Sequence, residues 1–91
     1  MKLQWMTRAR HERAAAIDYI ASESPAAALE QLDQIERQTD MLSQFPEMGR
    51  PGRKQGTREL VISRTPFVVV YRVNKDRIEV MRVLHGSQQW P

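Results

Sequence analysis

Ninety-one residues, 41% hydrophobic and 27% charged, fit one domain spanning 1–91 with a modest core, and argue against a disordered chain. The absence of cysteine removes disulfides, thiolate nucleophiles and cysteine metal sites, and suits a reducing cytoplasm. The net charge of +3 is uneven: residues 1–46 hold five Lys/Arg against seven Asp/Glu, and residues 47–91 nine against four. The carboxy-terminal half is therefore the side that attracts a polyanion or an acidic protein.

The amino end, MKLQWMTRARHER, turns charged at once, without a signal-peptide core, and no apolar run in the chain is long enough for a membrane span. KLQWM (2–6) alternates and reads as a short strand. Thr7 is the expected N-cap of a helix from Arg8 to about Ser22, with Ala9, Arg13, Ala16, Ile17, Ile20 and Ala21 largely on one side. Ser24 caps a second helix, with Pro25 at its first position. Ala28, Leu32, Ile35, Thr39 and Leu42 recur at four–three spacing along that helix, which is expected to reach about Gln44. So short a connection makes the two an antiparallel hairpin.

FPEMGRPGRKQG (45–56) reads as a loop, because prolines and glycines punctuate it throughout. Three apolar, β-branched segments follow at 57–63, 67–73 and 77–85, separated by the turn-like RTP and NKD, and predict an antiparallel meander. Strict alternation puts Phe67, Val69, Tyr71 and Val73 on one face of the middle strand, and Ile78, Val80, Arg82 and Leu84 together on the last. The order β-α-α-β-β-β gives an α+β fold, a helical hairpin packed on one face of a small, mainly antiparallel sheet. The other face is then open and carries arginines.

Metal binding finds no ligand set, since His11 and His85 are the only histidines and sit on different elements; no cofactor is implied. No serine lies in a glycine-flanked elbow, and GRPGRKQG lacks the lysine–hydroxyl ending of a phosphate loop. What remains is guanidinium. Arg50, Arg53, Lys54 and Arg58 form a patch without an acid between Glu47 and Glu59, and Arg64, Arg72 and Arg82 extend it. Such a surface matches RNA, DNA or an acidic partner, against the plainer reading of solvated side chains. Arg82, bracketed by apolar neighbours, should pair with a carboxylate or point into a groove. His85 is either a general acid–base group or a strand-end histidine, Trp90 either folds back over the sheet or contacts a partner, and Tyr71 packs with its hydroxyl satisfied locally.

MGRPGRKQGTRELVI, FVVVYRV and IEVMRVLHGSQQWP, in that order behind a helical hairpin, resemble the RelE/ParE superfamily of bacterial toxins. GTREL, VYRV and RVLHGSQQWP are closest to its ParE branch. The resemblance implies the toxin of a type II toxin–antitoxin module, silenced in a hetero-oligomer by a cognate, ParD-like antitoxin whose tail folds onto it. ParE-like members poison DNA gyrase without chemistry of their own; RelE-like members cleave mRNA in the ribosomal A site. For a gyrase poison, the target-binding candidates are Arg50, Arg53, Lys54, Arg58, Arg64, Arg72, Arg82 and Trp90. For the alternative endoribonuclease, Arg58, Arg82 and His85 would act, with Lys54 close by, although the loop lacks the lysine density of the RelE type.

Overall fold

The computed structural model describes residues 1–91. Strand β1 (Lys2–Trp5) leads into helices α1 (Thr7–Ala21) and α2 (Pro25–Asp40), which ends in a tightened 3₁₀ turn at Met41–Ser43. Then come β2 (Arg50–Pro51), β3 (Arg58–Val61), β4 (Phe67–Asn74) and β5 (Arg77–His85). The strands form one sheet in the order β1-β5-β4-β3-β2, antiparallel except where β1 runs parallel to β5. This is the expected α+β hairpin-on-sheet fold, and β3, β4 and β5 make the expected meander.

The two helix starts differ in chemistry. Ser24 adopts an extended backbone and its hydroxyl accepts the Ala27 N–H at 3.2 Å, with Pro25 beginning the helix. The expected Thr7 cap is replaced by Met6, which offers no side-chain cap. Strand pairing runs one residue past β1, because the Met6 N–H donates to the Val80 carbonyl at 2.9 Å while its own carbonyl accepts from Arg10. Met6 thus ends the strand and starts the helix at once, and Thr7 is already helical.

Ala28, Ile35 and Thr39 of α2 and Leu42 of the turn after it are buried as their spacing predicts, while Leu32 is half-buried. Ile35 and Leu42 join Ile62 and the sheet residues Phe67, Val69, Tyr71, Ile78 and Val80 in one core. Ala9 is fully buried, and Ala16, Ile17 and Ile20 of α1 pack at the margin. The Gln38 amide closes the end of β3 onto α2, donating to the Ser63 carbonyl at 3.1 Å and accepting its N–H at 2.9 Å.

Two features depart from the alternation expected of the sequence. Pro51 lies in a two-residue strand inside the proline/glycine loop, at the edge of the sheet, where its missing N–H costs no ladder bond. The second is a β-bulge in β5. Tyr71 pairs with Val80 but Val70 with Arg82, so Met81 is the extra residue. Beyond it the facing of β5 inverts. Ile78, Val80 and Val83 look toward the helices, whereas Arg82 and Leu84 look away, so the expected common face of Val80 and Arg82 does not exist.

Tyr71, fully buried on the helix side, anchors the loop before β2. Its hydroxyl accepts the Gly49 N–H at 2.9 Å and donates to the Pro46 carbonyl at 2.8 Å. These partners lie 22 and 25 residues away, not locally as expected. Glycine is required at 49, because a Cβ there would sit 2.6 Å from the Tyr71 oxygen. Burial raises the Tyr71 pKa, so the phenol stays protonated and able to donate. Tyr71→Phe is expected to cost about 1–3 kcal/mol in urea unfolding, since it leaves two backbone groups without this partner. The same variant should show faster amide exchange at Gly49 with protection in α2 retained.

Candidate functional site

The sheet face turned away from the helices carries most of the candidate residues, and it is not open. Cross-strand register aligns Glu59 of β3, Val70 of β4 and Arg82 of β5 in one row. Val68 and Leu84 make the next row, and Arg72 beside Glu79 the row on the other side. Val68, Val70 and Leu84 are 4%, 0% and 1% exposed although no helix covers this face. The carboxy-terminal tail covers it instead. The Trp90 Nε1–H donates to Glu59 Oε2 at 3.2 Å, and the Arg82 guanidinium lies over the indole at 5.5 Å from the ring centroid. Reaching both ends of the row, the indole spans Val70.

Glu59 is the hub of this face. Its side chain is 1% exposed, and it receives Arg53 through the backbone N–H at 2.9 Å and Nε at 3.1 Å, and Arg50 through Nη2 at 3.1 Å. Burial acts most strongly on its pKa and pushes it up. The hydrogen bonds from Arg53 and Arg50 together outweigh burial and hold the carboxyl at about 2, against an ordinary 4.5. Arg53 also donates from Nη1 to the Gln88 carbonyl at 3.3 Å, tying the tail to the loop.

The same plan recurs at Glu79, whose almost fully buried carboxylate takes Arg72 at 2.6 Å and Arg77 at 3.3 Å. The Arg72 hydrogen bond is the main reason its carboxyl lies below the usual range. Arg82 satisfies the expectation of a carboxylate partner, and the partner is Glu12 of α1. Arg82 Nε and Nη2 bond its oxygens at 2.8–3.1 Å, and the Val83 N–H adds a bond at 3.0 Å. Glu12 reaches this edge of β5 because β1 ends opposite Val80 and leaves the strand unpaired beyond it.

The remaining candidates scatter. Arg58 donates to the carbonyls of Gly49 at 2.7 Å and Glu47 at 3.4 Å, bracing the loop. Lys54 and Arg64 are exposed and make no ion pair, Arg64 lying in the turn after β3 with φ of 68°. His85 ends β5, its Nδ1 2.9 Å from Ser87 Oγ and its ring edge-on to Phe67.

The three side chains proposed for RNA cleavage do not converge. Arg82 faces the tail, while Arg58 pairs with Tyr71 and His85 with Phe67, on the other face of the sheet. Those two are four residues apart along β4, or roughly 13 Å, and on strands flanking it. Sequence reasoning missed Glu12, Glu59, Glu79 and Arg77. Glu59 had a signal, as the sole carboxylate between Glu47 and Asp76 in an arginine-rich stretch; Glu12 had none, because its partner is 70 residues away.

Glu59 should make stability acid-sensitive. Because folding lowers its pKa, its contribution is complete above about pH 4.5 and is lost as pH falls toward 2. With both arginines partly solvated, that contribution is on the order of 2 kcal/mol. Glu59→Gln should accordingly flatten the fall in unfolding free energy between pH 4.5 and 2, measured by urea titration at each pH.

Comparison with known proteins agrees with this architecture. The family described as "ParE toxin of type II toxin-antitoxin system, parDE" matches residues 3–90. A Sinorhizobium fredii protein named "Putative toxin Y4kP" is 37% identical over 90 residues, covering 99% of this chain and 93% of its own. A chain of the structure described as "Chromosomal ParDE TA system from P. aeruginosa" superposes with a TM-score of 0.84 at 31% identity, covering 93% of this chain and 95% of its own. With its fold and nearly its whole length shared in this way, the protein belongs to the ParE family of type II toxin–antitoxin toxins.

Proposed function

We infer that the protein poisons DNA gyrase in the bacterial cytoplasm, by binding and without bond chemistry of its own, and is silenced by a ParD-like antitoxin. The observation that carries this reading is the ParE match over residues 3–90, since gyrase is the target expected of that branch. The dispersal of Arg58, Arg82 and His85 over two faces supports it against mRNA cleavage, which needs its groups around one phosphate. Arg82 is further committed to Glu12, and His85 to the turn at Ser87.

The half-exposed guanidiniums of Arg50, Arg53, Arg72 and Arg77, each already oriented by a buried carboxylate, form the target-binding surface with Lys54 and Arg64. Preorientation lowers the entropy lost on binding, so these arginines act as fixed forks. The antitoxin occupies the helical hairpin, where Tyr19 and Leu29 are 74% and 71% exposed and offer apolar anchors to an amphipathic segment.

Purified toxin is expected to block supercoiling and to leave linear, cleaved DNA in a gyrase reaction, while ribosome-bound mRNA stays intact in a parallel translation assay. Unaffected gyrase at micromolar toxin together with cleaved mRNA would overturn the reading. His85→Gln separates the two chemically. It should leave gyrase inhibition unchanged beyond any loss of folded protein, whereas an enzyme using His85 for proton transfer would lose activity roughly 100-fold or more.

A further inference from the structure

Trp90 is held by fewer contacts than the walls of the slot it fills. The Arg82 wall is fixed by Glu12 through three contacts of 2.8–3.1 Å. The Glu59 wall is fixed by Arg50 and Arg53 through four contacts of 2.9–3.3 Å. None of these involves the tail. Val70, completely buried between the two walls, is the floor. The indole contributes one N–H bond and one cation–π contact at 5.5 Å, the Gln88 carbonyl adds one bond from Arg53 at 3.3 Å, and residues 85–89 leading to the indole are exposed. Removing the indole would leave a preformed slot with a guanidinium plane on one side, a carboxylate on the other and an apolar floor.

We propose that this slot binds an unpaired guanine base, with the carboxy-terminal tail as its built-in competitor. A guanidinium plane stacks on a flat heteroaromatic ring, and a carboxylate accepts from a ring N–H edge; Trp90 already satisfies both conditions. Among nucleobases only purines share the bicyclic size of an indole. Guanine presents a ring N–H, the same kind of donor the indole gives to Glu59 Oε2, which is the one acceptor position the departing tail frees because Arg50 and Arg53 keep theirs. Adenine sets an acceptor next to its amino group and would place that lone pair against the carboxylate. The attached phosphate would meet Arg50 and Arg53, which are 58% and 39% exposed and retain N–H groups beyond those spent on Glu59. No bond is made or broken, and the inference stands whether or not gyrase is the target.

The test is a titration of the intact chain with GMP, AMP, CMP and UMP, followed at the Trp90 indole N–H by heteronuclear NMR. GMP should move that resonance saturably toward its position in an unanchored tail, and the other three should not. Trp90→Ala, checked for a dispersed folded spectrum, should bind GMP roughly tenfold more tightly than the intact chain, because no competitor remains. Equal responses to all four nucleotides would overturn the proposal, leaving only phosphate capture by arginine. A silent Trp90 resonance at millimolar GMP would overturn it too, even if the variant failed to fold. So would a folded Trp90→Ala protein that binds GMP no better than the intact chain.

Discussion

The buried carboxylate of Glu59 is the constraint on which the outer face of the sheet depends. A single ionised group with almost no contact with water is costly unless its lone pairs are filled, and here loop, strand and tail all converge to fill them. Arg50 and Arg53 close the proline/glycine loop over it, and Trp90 closes the tail over it from the other side. The interaction therefore sets the shape of a surface that the apolar core, on the opposite side of the sheet, does not touch.

A second constraint links that surface to the helices. The bulge at Met81 turns Arg82 away from the core, and the early end of β1 lets Glu12 come around the strand edge to meet it. A chain of contacts then runs from α1 through Arg82 and Trp90 to Glu59 and the loop. Arg82 of the last strand is a structural brace, and the exposed positive charge lies outward at Arg50, Arg53, Arg72 and Arg77.

Local signals made much of this legible in the sequence. The hairpin followed from Ser24, Pro25 and the four–three apolar spacing of α2, and the meander from three β-branched runs with turn residues between them. What escaped was non-local or non-periodic. One inserted residue, Met81, inverts the face of everything after it, and nothing in RIEVMRVLH marks the insertion. The Thr7 cap failed because tertiary pairing of Met6 with Val80 outcompeted a local preference. Arginines were visible as charge and Glu59 as the sole carboxylate of its stretch, but Glu12 became visible only when β5 was brought beside α1.

Glu59 is the common anchor of the loop and the tail. Backbone and indole ¹⁵N relaxation of Glu59→Gln against the unmodified protein tests that most directly. Order parameters of Arg53 and of the Trp90 indole should fall together, from near about 0.85 to below about 0.6, with α1 and α2 unchanged. A Trp90 indole that remains as rigid as before, while only the loop loosens, would contradict it.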